Sequence, residues 1–342
     1  MDFGGMKRLV VVGNGFDIHH GMKSSYANFR EWLRENDGDP EEGCDCLLAT
    51  LGRYFPGSVD DEKEWWNEFE KNLSTLSPQE IVADAVEENQ PNFASDDFRD
   101  SDYHAAEGEV ERVIDGLYDR ILEKFTEWVG EIEGEYDKMR RFDWQWAPTD
   151  GYVNFNYTDT LERLYGVPAE RVLHIHGRPG GKEPLVLGHD GDLTYVEGEL
   201  EEVRHQELQD DWSEEEYAEW CQEQEELGDD YITLQAKGSA RQAVLNHRKP
   251  VEEIIESLRL FFGSCAGVEE VVVMGLSYSD VDMPYLKRIA EMAQNARFVL
   301  TYFSEGDKQR ATAFAGTLAP TQQAEIKDIR TMPLAQPPLP GF

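Results

Sequence analysis

A few short stretches of this chain carry side chains able to do chemistry: Asn14 and Asp17 beside Gly13 and Gly15, Asn156, the pair His174 and His176, His189, and Ser277 after Gly275. Histidine moves protons because its pKa lies close to the working pH, and a buried carboxylate steadies positive charge. A glycine has no Cβ to hold a ligand off, so the N–H groups of a Gly13-Asn14-Gly15 turn can approach a phosphate or a ribose. In an extended strand His174 and His176 fall on one face, and together with Asp17 and His189 they form a donor set suited to a divalent metal. For His176 taken alone, a hydrogen-bonded core histidine is an equal reading.

Such groups act only if the fold brings them together. Leu9 to Val12 is a short apolar run emptying into the glycine turn, the signature of a buried parallel strand, with Phe16 and Asp17 expected at the rim of its carboxyl end. Val271 to Met274 followed by Gly275 repeats it. Gly151 to Tyr157, Arg171 to Gly177, residues 184–188 and residues 297–303 read as further strands. In a parallel sheet all carboxyl ends face one side, so a single crevice collects Asn14, Asp17, Asn156, His176 and Ser277. The expected fold class is therefore α/β, a Rossmann-like parallel sheet flanked by helices with helical insertions.

The expected organisation is one α/β domain over residues 1–332, with a helical insertion at about 30–145, an acidic helical insertion at about 191–245, and a flexible proline-rich tail at 333–342. Ser24 or Ser25 caps a helix carrying Phe29, Trp32 and Leu33. Trp65, Trp66, Phe69 and Leu73 at helical spacing read as core, and Val110, Val113, Ile114, Leu117, Ile121 and Phe125 form one apolar helix face.

Seventy Asp and Glu against 32 Lys and Arg give a net charge of −38 over 342 residues. That field repels phosphate backbones and disfavours extended nucleic-acid binding. No apolar run reaches the roughly 18 residues of a membrane span, and residues 1–30 carry charge in place of an apolar signal, so a cytoplasmic protein is expected. Four cysteines, Cys44, Cys46, Cys221 and Cys265, are too scattered for a disulfide framework and read as reduced thiols.

Gly13-Asn14-Gly15-Phe16-Asp17, His20-Gly21 and Ser25-Tyr26-Ala27-Asn28-Phe29 resemble the opening motif of the AbiH family, the bacteriophage abortive-infection proteins. Later stretches fit in the same order, from Asn154-Phe155-Asn156-Tyr157-Thr158 and His174-Ile175-His176-Gly177 to Met274-Gly275-Leu276-Ser277 with Asp282 and Tyr285. The order of these motifs also resembles the nucleotide-binding core of the Sir2 superfamily. That resemblance pairs Gly13 and Gly15 with its opening turn, Asn156 and His176 with its catalytic asparagine and histidine, and Gly275 and Ser277 with its closing turn. Asp17 and Thr158 depart from the pattern, and no four-cysteine zinc module is present, which turns the expectation from protein deacylation toward NAD hydrolysis.

What the resemblance implies is cleavage of the bond between nicotinamide and ribose, with NAD as substrate and no metal. Asn156 would hold ribose hydroxyls or water, His176 would accept a proton and Asp17 would stabilise developing positive charge. Gly13, Asn14, Gly15, Phe16, Gly275 and Ser277 would line the cofactor site. The alternatives are a metal-dependent hydrolase or nuclease using Asp17, His174, His176 and His189, and a non-catalytic nucleotide-sensing module. An abortive enzyme must be silent in healthy cells, so a phage-derived trigger, a defence partner or homo-oligomerisation is expected to control it. Residue types alone assign no role to His19 or His20.

Overall fold

The computed structural model describes residues 3–40, 43, 45–60, 62–90, 99, 104–132, 141–143, 147–181, 184–190 and 231–335. The acidic stretch 191–230, Cys44, Cys221 and the tail beyond 335 lie outside the described residues. The chain forms two compact units: Met1–Phe29, Phe125–Leu187 and Lys249–Phe342 make the first, Arg30–Lys124 and Gly188–Arg248 the second.

The first unit is built on six parallel strands, β1 (Arg8–Val12), β2 (Gly151–Asn154), β3 (Val172–His174), β4 (Glu270–Met274), β5 (Arg297–Tyr302) and β6 (Gln323–Asp328). Their order across the sheet is β3-β2-β1-β4-β5-β6. This is the α/β Rossmann-like order, in which the chain reverses direction between β1 and β4 and leaves the strand ends there free for a ligand. Each crossover needs a connection long enough to return to the starting edge. Helices α1 (Asn14–His19), α2 (Thr160–Tyr165), α3 (Met283–Met292) and α4 (Glu305–Ala315) follow β1, β2, β4 and β5.

Because side chains alternate, a central strand with both faces covered must be apolar throughout. Leu9 and Val11 join Val153, Val271 and Val273 in one cluster. Val10 and Val12 join Tyr152, Val272 and Met274 in another. Residues 184–188, expected as a strand, form none: Pro184 has no N–H to give a ladder, and Val186 N–H donates to the His176 carbonyl at 2.9 Å. β6 has no apolar run to announce it. It is an edge strand of Gln, Glu, Lys and Asp with Ala324 and Ile326, paired along its length with β5.

A charged pair locks the first two strands at their amino ends. Arg8 Nε donates to Asp150 Oδ2 at 3.0 Å, and Ala147 N–H donates to the same oxygen at 2.8 Å. The Asp150 side chain is 4% exposed, so removing its cation strands a buried carboxylate. Arg8→Ala is expected to lower the unfolding free energy by about 2–3 kcal/mol, read from urea melts.

The second unit is helical among its described residues. Helix Gln79–Glu88 packs on helix Tyr231–Asn246. Trp65, Trp66 and Phe69 are buried, with the Trp66 and Phe69 rings stacked at 5.3 Å. The Tyr118 ring stacks on His247 at 4.1 Å while its hydroxyl donates to the Leu73 carbonyl.

Candidate functional site

The glycine turn meets the exit of β4 face to face. Gly13 N–H donates to the Met274 carbonyl at 3.0 Å and Gly15 N–H to the Gly275 carbonyl at 2.7 Å. A Cβ on Gly13 would stand 2.7 Å from the Leu276 Cα, and one on Gly15 2.8 Å from the Gly275 oxygen. The space that the missing side chains leave is thus filled by the opposite turn. Tyr278, at φ 55, then bends the β4 exit, and its hydroxyl donates to the Thr301 carbonyl. Ser277 is exposed, and its carbonyl accepts from Arg310 Nε at 2.7 Å. Asn14 is half-buried and exchanges hydrogen bonds with Ser24, donating to its carbonyl and accepting from its hydroxyl.

Helix α1 begins directly after Gly13, and this immediate turn decides where the next side chains go. Phe16, expected at the rim, has its ring fully buried against His20 (4.5 Å) and Tyr165 (5.8 Å). Asp17 is fully buried as well. Its Oδ2 accepts from the Thr158 hydroxyl, while its Oδ1 has no hydrogen-bond partner. Burial pushes this carboxyl up to about 6, against the opposing pull of the Thr158 and Thr160 hydroxyls.

Asn156 and His176 lie two residues past the ends of β2 and β3. Asn156 Nδ2 donates to the Gly13 carbonyl at 3.1 Å, its N–H donates to Asn154 Oδ1 at 2.9 Å, and its Oδ1 is buried without a partner. His176 Nδ1–H donates to the Phe155 carbonyl at 3.2 Å, which leaves Nε2 with the lone pair; that atom too is buried without a hydrogen bond. The Asp282 carboxylate stands 3.9 Å from it. Burial, and next the Lys249 charge, hold the imidazole well below its usual value, so it is neutral at pH 7. The ends of β1, β2 and β3 therefore present three buried polar atoms, Asp17 Oδ1, Asn156 Oδ1 and His176 Nε2, that nothing in the unit satisfies. A buried polar atom without a partner is costly and marks a place for water, an ion or a ligand.

The remaining histidines have other engagements. His174 Nε2–H donates to Glu162 at 2.8 Å. Asn154 Nδ2 lies 3.5 Å from His174 Nδ1 and 2.8 Å from the Thr158 carbonyl, so the Glu162–His174 pair braces the loop that holds Asn156. His20 donates to the Phe16 carbonyl and accepts from the Tyr165 hydroxyl, with burial lowering it to about 4. His19 stacks on Phe142 at 4.6 Å. His189, in the second unit, donates to the Val244 carbonyl at 3.0 Å. Among the described residues no three or more His, Cys, Asp or Glu side chains come together in a group that could hold a metal ion.

Lys249, Asp282 and Ser279 lie outside the set that residue types single out. The usable signal was Asp282 ahead of Met283-Pro284, a helix-start pattern that puts Asp282 at the N-cap of α3. Lys249 announces nothing in sequence, since a lysine between Arg248 and Pro250 looks like surface, yet it is 6% exposed.

The raised Asp17 makes stability depend on pH with a definite sign. Its ordinary value is 3.8 and its folded value about 6, so the folded state holds the proton more tightly and loses stability as pH climbs through that window. Asp17→Asn carries no such penalty. Its stability relative to the parent is expected to grow by about 1 kcal/mol between pH 5 and pH 8, measured by urea unfolding at both.

The sequence profile of a family described as bacteriophage abortive infection AbiH matches residues 9–303. That span reaches from β1 through β5 and includes every residue of the site described above. No curated protein matches the chain.

Proposed function

The chain belongs to the AbiH family of bacteriophage abortive infection proteins, and from that premise we propose that it acts by cleaving NAD between nicotinamide and ribose at a Sir2-like site. The family assignment supports an anti-phage role; the chemistry is our reading. One observation carries it: Asp17 Oδ1, Asn156 Oδ1 and His176 Nε2 are buried without hydrogen-bond partners, on the segments that follow three adjacent strands.

The nicotinamide of NAD leaves as a neutral molecule, so the protein has mainly to orient the ribose, steady an oxocarbenium-like centre and deliver water. His176, neutral and with Nε2 as its acceptor, takes the proton. Asp17, ionised above about pH 6, is the carboxylate we assign to stabilising the positive charge. Asn156 offers its Oδ1 to a ribose hydroxyl or to water. Of the turn residues, Asn14 and exposed Ser277 have side-chain atoms to offer the phosphates, whereas Gly13, Gly15 and Gly275 set the spacing of the two turns that carry them.

Among the described residues no helix is long and apolar enough to cross a membrane. We place the enzyme in the cytoplasm, acting on a free nucleotide and controlled by a phage-derived trigger, a defence partner or self-association. The decisive experiment is incubation of the pure protein with NAD, with and without chelator, following nicotinamide release, alongside the NAD content of infected cells. Chelator-resistant release is expected. Binding of NAD or ADP-ribose without release, in both settings, would make it a sensor instead, and release abolished by chelator would favour the metal-dependent reading.

A further inference from the structure

His176 Nε2 and Asp282 Oδ1 face each other across 3.9 Å. The distance is too long for a hydrogen bond, and in the neutral imidazole both atoms are acceptors. Two acceptors at that spacing suit a group that brings two hydrogens. Water is the smallest such group, and two hydrogen bonds of about 2.8 Å from one oxygen span the gap.

Both acceptors are fixed from behind. The Phe155 carbonyl takes the Nδ1 proton of His176 and so sets the tautomer. The Ser279 hydroxyl donates to Asp282 Oδ2 at 3.1 Å, which turns Oδ1 toward the imidazole. The groups packed around the ring are the Phe155, Tyr157 and Tyr285 rings, with Asp282 and Lys249 the charged ones. Lys249 opposes protonation of His176, and Asp282 favours it.

We propose that Asp282 is a catalytic residue that forms, with His176, a two-acceptor clamp for the attacking water; this rests on the NAD-cleaving reading above. The water gives one hydrogen to each acceptor, leaving an oxygen lone pair for the ribose C1′. As the O–C1′ bond forms, the C1′–N bond breaks and its electron pair leaves with nicotinamide. One water proton passes to His176 Nε2, and the Asp282 carboxylate balances the imidazolium so formed.

The test has one arm that needs no turnover. Titration of His176 by imidazole NMR in the parent and in Asp282→Asn should show a downward shift of about one pH unit or more, since the variant removes the carboxylate that stands 3.9 Å from the ring. In the second arm, Asp282→Asn should slow nicotinamide release at least 100-fold with KM for NAD changed less than threefold, Asp282→Glu should recover part of the rate, and Ser279→Ala should fall between. An unshifted His176 titration in a folded Asp282→Asn protein overturns the clamp. So does an Asp282→Asn rate within threefold of the parent while His176→Ala is inactive, and that outcome leaves NAD cleavage standing. If parent and His176→Ala release nicotinamide equally, the NAD-cleaving reading at this site fails and the clamp fails with it.

Discussion

Replacing His176 by alanine is expected to slow nicotinamide release by about 10²–10⁴-fold, the range for loss of a positioned proton acceptor. The expectation follows from tautomer and burial together. Nδ1 is committed to the Phe155 carbonyl, so Nε2 is the ring's remaining acceptor, and the alanine variant has no group to take its place. Truncation also leaves space among Phe155, Tyr157 and Tyr285, so packing and chemistry need separating. His176→Gln fills most of that space but has an amide that cannot take a proton. It should melt within a few degrees of the parent and still be inactive. Asn156→Ala tests the neighbouring strand end: the Gly13 carbonyl keeps the Phe16 N–H at 2.8 Å, so the turn survives while the Oδ1 facing the site is lost. Release at parental rates from both His176→Ala and Asn156→Ala would remove the site from consideration.

Gly275→Ala is expected to cost more than about 4 kcal/mol, a large part of the stability of an ordinary domain, and to prevent accumulation of folded protein. Gly275 sits at φ +67, where a Cβ alone costs about 1–2 kcal/mol. The larger part is overlap: that Cβ would stand 2.1 Å from the Phe16 backbone nitrogen and 2.5 Å from the Gly15 carbonyl carbon. Backbone cannot swing aside like a side-chain tip, so β1 and β4 would have to part. Gly166 is the natural control. It ends α2 at φ +66 with nothing within 4 Å of its would-be Cβ, and Gly166→Ala should cost only about 1–2 kcal/mol. Equal urea midpoints for the two variants would show that the turn–turn contact is looser than described.

The central strands were legible because burial on both faces leaves a mark in sequence: Leu9 to Val12 and Val271 to Met274 each combine four consecutive apolar residues with a glycine exit. That Asp17, Asn156 and His176 each come just after one of three adjacent strands followed from parallel pairing alone, because the carboxyl ends share an edge. Less legible was what depends on the path of the chain after a strand. Phe16 reads as a rim residue until α1 is known to start at Asn14 and swing its ring inward. Residues 184–188 look like a strand because Leu185, Val186 and Leu187 are apolar, but Pro184 and the tie to His176 make them a strap. β6 hides because an edge strand can be polar, and its pairing with β5 comes from the backbone. A local helix-start pattern marks Asp282 but not its partner: the approach of Asp282 and the charge of Lys249 to His176 span 106 and 73 positions of the chain, and no local pattern encodes that.

The concealment of Asp17 Oδ1, Asn156 Oδ1 and His176 Nε2 from bulk water also bears on timing. On the NAD-cleaving reading proposed above, a dinucleotide would meet these atoms only in molecules that have transiently loosened around the strand ends, and its apparent affinity would be scaled by that minority population. Latency is then a property of the resting conformation, with no inhibitor required. Whatever enlarges the loosened population, whether warmth or a binding partner that prefers it, raises turnover without altering a single reacting group, and onset after mixing should show a lag.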